Sequence, residues 1–113
     1  VVRSSFTDVE IDRVFQALSD TTRRDIVARV LVGEQSVSTL AARYAMSFAA
    51  VQKHVAVLED AALVSKYARG RERMVRGNPA QLARARELLA RLEDLWKARF
   101  SQLDAVLGLP TKE

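Results

Sequence analysis

The chain has 113 residues, enough for one small domain. Its 18 Lys and Arg outnumber 14 Asp and Glu, for a net charge of +4 and a pI near 10.0. It has no Cys and a single His, which excludes a disulfide scaffold, a thiolate metal site, thiol catalysis and any two-His metal motif within one chain.

The apolar fraction of 49% supports a globular core, built mostly of Leu, Val and Ala because only 6% of the residues are aromatic. No run of about 18 apolar residues is present, and no charged start leads into an apolar stretch. The sequence therefore predicts neither a membrane span nor a signal peptide. The excess charge is local. Residues 66–76 carry Lys66, Arg69, Arg71, Arg73 and Arg76 against one acid, Glu72, while the rest of the chain is balanced. A basic strip on a neutral body suits a polyanion partner; a solvated hairpin kept soluble by its arginines is the other reading.

In chain order, Thr7 and Glu10 fit a capping box, and Ile11, Val14, Phe15 and Leu18 follow at helical spacing, so a helix is predicted over 8–19. Asp20 caps a second helix with Ile26, Val27, Val30 and Leu31 as its buried face, and Gly33 is expected to end it in a left-handed conformation. Ser36-Val37-Ser38 suits a short strand. Ser38 is expected to cap a helix to about Tyr44, with Leu40 and Ala41 inward. Ser47 then caps a helix running to about Ala61. Two capped helices this close in sequence form a helix-turn-helix.

Leu63–Ala68 and Glu72–Arg76 read as strands joined by a turn at Arg69-Gly70-Arg71. Asn78 caps the last helix with Pro79 at its first position. That helix, roughly 80–107, puts Ala85, Leu88, Leu89, Leu92, Leu95, Trp96, Leu103, Val106 and Leu107 on one stripe. The short preceding elements cannot cover a stripe of that length, so a homodimer is expected, with Leu88, Leu92, Leu95, Trp96, Arg99 and Leu103 at its interface. Arg99 falls about 20° from the stripe's centre. A buried cation there needs a carboxylate or carbonyl partner, and the other subunit could supply it.

With Val51 at the centre of the buried face of the helix after Ser47, Val55, Leu58 and Ala62 lie within about 40° of it. Ala49, Gln52, Lys53 and Ala56 lie opposite. Gln52 can bond an adenine edge, Lys53 can reach a guanine or a phosphate, and Ala49 and Ala56 allow close approach and can touch a thymine methyl with their own. Ser47 can offer its hydroxyl or a helix N-terminal amide to phosphate. Phe48, at the edge of the buried face, is expected to pack; contact with a base or sugar is the other reading. His54, about 60° off the buried centre, is expected to hydrogen-bond a neighbouring group or a phosphate. An ordinary surface helix could carry the same side chains; the capped pair before it and the basic hairpin after it favour double-stranded DNA. One His, no Cys and no Gly-rich phosphate loop leave no basis for an enzyme. Few aromatics also mean no stacking platform for RNA.

The stretches VFQALSDTTRRDIVARV, SVSTLAARYAMSFAAVQKHVAVLEDAALV and SKYARGRERMVR resemble the ArsR-type winged-helix transcriptional regulators of bacteria, from about Val14 to Val106. The first is similar to the family's "ALSDPTRR" segment. The second is similar to its "S-x-x-x-V-x-x-H-L-x-x-L" recognition helix, here Ser47, Val51, His54, Val55 and Leu58. The resemblance implies a mainly α fold with a small β-hairpin: a single winged helix-turn-helix domain over 1–113. Its parts are an N-terminal dimer helix (8–19), a helix-turn-helix and wing (36–77) and a C-terminal dimerisation helix (79–107). It further implies a cytoplasmic homodimeric repressor on a palindromic operator, associated with the nucleoid when bound. Ser47, Ala49, Gln52, Lys53 and His54 align with the DNA-facing positions, and Arg69, Gly70, Arg71 and Arg73 with the wing. A winged-helix module that docks proteins is the alternative, disfavoured by the basic wing.

The chain departs from the family pattern at Ala45 and Ala62, where Gly is usual, and at Phe48, where a polar residue is common. It also lacks the Cys pairs and the Asp and His sets of the family's metal sensors. No metal and no cofactor are therefore expected. An unidentified small-molecule effector remains compatible with the sequence.

Overall fold

The computed structural model describes residues 7–108. The two ends of the expected 1–113 domain lie outside the described residues. Eight elements follow in order: α1 (Asp8–Ala17), α2 (Thr21–Val32), β1 (Gln35–Ser36), α3 (Val37–Ala41), α4 (Phe48–Asp60), β2 (Val64–Arg69), β3 (Glu72–Gly77) and α5 (Pro79–Leu107). This is a winged helix-turn-helix with a long C-terminal helix.

Side-chain caps start the first four helices. Thr7 accepts from the Glu10 N–H while the Glu10 carboxylate accepts from the Thr7 N–H, the reciprocal pair expected. Asp20 accepts from the Arg23 N–H, and Ser47 from the Ala50 N–H at 3.1 Å. The third cap is Ser36 rather than Ser38: its hydroxyl accepts from the Thr39 N–H, and α3 stops at Ala41 instead of reaching Tyr44. Ser36 is placed by sheet pairing, since it lies opposite Met74 of β3.

That pairing makes the sheet three-stranded and antiparallel, in the order β1-β3-β2; the short strand expected over 36–38 lies instead at Gln35–Ser36, and Val37 and Ser38 already belong to α3. It also decides Gly33, which is extended (φ −172°, ψ 144°) and not left-handed, because the chain leaves α2 directly into β1. Leu31 is 38% exposed instead of buried. It lies over Gly77, where a Cβ would come within 2.8 Å of its side chain; only glycine permits that approach. Asn78 does occupy the cap position of α5. Its amide, however, donates to the Ala62 carbonyl and caps nothing.

The core joins Val14 and Ala17 of α1, Ile26, Val27 and Val30 of α2, Val37 and Leu40 of α3 and Val51, Val55 and Leu58 of α4 to Leu63, Val64 and Val75 of the wing. Ala61 is buried at the end of α4, while Ala62 is exposed. The angular rule fails for Ala62 because the helix has ended. Ala62 instead turns the chain toward β2 with φ 60°, a left-handed conformation at a position where the family usually has glycine. Ala45 does not share it.

Only Gln81 and Ala85 of the 29-residue α5 are buried. Its remaining length projects away from the core, which explains a radius of gyration of 18.9 Å against about 13 Å for a compact domain of this size.

Candidate nucleic-acid interface

Helix α4 packs on α1, α2, α3 and β2 through Val51, Val55 and Leu58. The 3.6-residue period then forces Ala49, Gln52, Lys53 and Ala56 outward, and all four are exposed. Asp25 holds the turn before α4 in place. Its carboxylate accepts from the Tyr44 hydroxyl at 2.6 Å and from Arg29 at 2.8 Å. These two bonds, the hydroxyl first, keep it below the usual carboxylate range.

Beside α4 stands the wing. Gly70 takes φ 61° at its tip, which lets a two-residue turn close β2 onto β3. Arg71 and Arg73 are exposed there, and Arg69 reaches the Met74 sulfur at 3.5 Å. Arg76 is committed to the protein. It pairs with Glu34 at 3.2 Å and lies 4.6 Å over the Tyr67 ring, whose hydroxyl also donates to Glu34. The Tyr67 hydroxyl first, then Arg76, lowers the Glu34 carboxyl.

Between α4 and the wing opens a cleft of about 240 Å³. Gln52 lines it from α4, and Arg71, Glu72 and Arg73 line it from the wing. Phe48 and Lys66, absent from the expected site, line it as well. Phe48 was expected to pack but is 47% exposed. As the first residue of α4 it precedes the turn in which the helix is covered by its neighbours. Lys66 is drawn back toward Glu59, 3.6 Å away. The signal for both lay in their position at the α4 start and on β2.

His54 is turned aside from this group. Its Nδ1 accepts from Arg23 at 3.2 Å and lies 3.9 Å from Asp20. A guanidinium only donates, so in this geometry the ring proton sits on Nε2. The Arg23 backbone N–H, with the charge of the Arg23 guanidinium behind it, holds Asp20 below the usual carboxylate range. Ser47 uses its hydroxyl oxygen as the helix cap.

On α5, Leu92, Leu95, Trp96 and Leu103 are 53%, 67%, 61% and 49% exposed, an uncovered apolar face. Leu88 is half-buried and Arg99 is exposed among them. Among the described residues Arg99 has no polar partner. No three His, Cys, Asp or Glu side chains come together, and no helix is long and apolar enough to cross a membrane, again among the described residues.

No protein-family model matches the chain. It is 41% identical over 80 residues to the HTH-type transcriptional regulator Rv2034 of Mycobacterium tuberculosis, covering 71% of this chain and 75% of that protein. Among solved structures, it is similar to an ArsR-like transcriptional regulator from Rhodococcus sp. RHA1. The TM-score is 0.77 at 34% identity, over 87% of this chain and 92% of that one. The homodimeric winged helix-turn-helix DNA-binding domain of a possible ArsR-family regulator from Mycobacterium bovis shares the fold, with a TM-score of 0.62 at 21% identity, over 83% and 91% of the two chains.

Proposed function

Because the chain belongs to the ArsR family of winged helix-turn-helix transcriptional regulators, we propose that it is a homodimeric repressor that binds a palindromic operator. The observation that carries this reading is the outer face of α4. Ala49, Gln52, Lys53 and Ala56 are open to solvent beside a wing whose Arg71 and Arg73 share a cleft with Gln52.

In the proposed complex the N-terminal half of α4 enters the major groove. Gln52 pairs with an adenine edge, Lys53 meets a guanine or a phosphate, and Ala49 permits close approach. Arg69, Arg71 and Arg73, presented by the Gly70 turn, hold phosphates and supply affinity without sequence information. Ser47 and the amides of the first α4 turn face the backbone. His54, fixed by Arg23, directs its Nε2–H outward toward a phosphate. Pairing of the α5 faces, with α1 beside them, supplies the two-fold axis. Two half-sites then lie about 34–36 Å apart, one turn of the duplex. Occupancy of the operator blocks transcription.

Selection of bound sites from random duplex DNA tests the reading. A palindrome with one-turn spacing is expected, and Gln52→Ala should cost about 1–3 kcal/mol at one base position per half-site. Binding without sequence preference, or a preference unchanged by Gln52→Ala, would overturn it.

A further inference from the structure

We propose that Phe48 reads the methyl group of a thymine within two base pairs of the adenine paired by Gln52, so that the two residues act as one reading unit. The inference rests on the DNA-reading assignment of α4 made above. Phe48 is the first residue of α4, at the end that enters a groove first, and it is 47% exposed. Among the described residues its ring stacks on no other ring.

The surroundings restrict what the ring can meet. Gln52, Lys66, Arg71, Glu72 and Arg73 line the same cleft. Lys66 already lies 3.6 Å from Glu59, and Glu72 is the one acid in the lining, so an apolar protein surface would still have to desolvate an arginine without pairing it, which is unfavourable. A DNA groove places phosphates against the arginines and base edges against the ring. In the major groove the complementary apolar group is the C5-methyl of thymine, and Phe is among the side chains that contact it. Four residues at 1.5 Å each put Phe48 about 6 Å from Gln52 along the helix. That is close to two base-pair steps of about 3.4 Å. Adenine for Gln52 and thymine for Phe48 therefore fall in one short A·T-containing step of each half-site.

The test uses the full chain and an operator chosen from random duplex DNA. Each thymine is replaced in turn by deoxyuridine, which removes the methyl and keeps every hydrogen-bonding group. One substitution per half-site should weaken wild-type binding about fourfold, the equivalent of one buried methyl. Phe48→Ala should bind both operators equally, and Phe48→Leu should retain part of the penalty. If the operator is bound specifically but every uridine substitution is silent, or the penalty survives in Phe48→Ala, the proposal fails while the function stands. If no sequence is selected at all, the DNA-reading assignment fails and takes this proposal with it. Should Phe48→Ala not fold, Phe48→Leu decides: a uridine penalty undiminished in that variant assigns the methyl contact to another residue and overturns the proposal.

Discussion

Trp96 is the residue whose removal should most weaken the proposed dimer. It is 61% exposed on a helix that buries only Gln81 and Ala85 in its own chain. Its ring stacks on Phe100 at 5.2 Å, within the same helix. A tryptophan carries about 150–250 Å² of buriable surface, so a partner covering the exposed share removes about 90–150 Å² from water. At about 25 cal/mol per Å² this is about 2–4 kcal/mol per copy and about 5–8 kcal/mol per two-fold dimer. Since each 1.4 kcal/mol is tenfold, Trp96→Ala should raise the dimer dissociation constant by up to about three to five decades. A hundredfold rise is the floor, because orientation and side-chain ordering consume part of the area term. Trp96 is also the chain's one tryptophan, so its emission reports its own burial. Sedimentation equilibrium gives the constants of wild type and variant, and wild-type emission should shift to the red on dilution through the dissociation range. A change of less than tenfold, or emission constant across that range, would refute the argument.

Arg71→Ala should weaken binding to all sequences and lower the log-affinity against log-salt slope by about 0.9 for each phosphate left without its arginine, roughly 2 per dimer; an unchanged slope in salt titrations would show that Arg71 holds no phosphate. Ala62→Gly relieves about 1–2 kcal/mol of left-handed strain and adds about 0.5–1 kcal/mol of chain entropy cost, so the melting temperature should rise by a few degrees. Asp25 has a lowered pKa, so its contribution is complete above the unfolded value near 3.8 and is lost as the pH falls through the lower folded value. Thermal melts in acid should therefore show Asp25→Asn less stable than wild type at neutral pH, with a shallower decline below about pH 4.

Where local chemistry decides an outcome, the sequence was legible. Thr7, Asp20 and Ser47 cap their helices because a side-chain oxygen three residues before a free N–H needs no distant partner. The outer face of α4 followed from period alone. Sequence reasoning failed where the sheet imposed its own geometry. Gly33 carries a helix-ending signal, but β1 begins two residues later and demands extended backbone. Ser36 and Ser38 are equivalent caps by composition, and pairing with Met74 selects Ser36. Asn78 has the composition of a cap, yet Ala62 presents a carbonyl 2.8 Å away that competes for its amide. An angular plot assigns Phe48 to packing because it treats every position of a helix as equally covered, which the first turn is not.

The hydrogen bonds at the end of α4 connect the two halves of the proposed function. The Ala62 carbonyl accepts from Asn78, and the Ala61 carbonyl accepts from the buried Gln81 at 2.9 Å. Both donors sit at the start of α5, whose exposed length bears Trp96. The Asn78 N–H also donates to the Leu63 carbonyl, at the base of the wing. Helix α4, the wing and α5 thus meet within a few residues, around an alanine held in a left-handed conformation. A buried glutamine bonded on both sides, to Ala61 and to Arg84, resists reorientation because a broken bond there leaves a polar group without water. In a dimer joined through α5, the separation and tilt of the two α4 helices are set at this junction. In the proposed dimer, the long helix would therefore do more than hold two copies together: through Gln81 and Asn78 it would fix where each proposed reading face stands relative to the other.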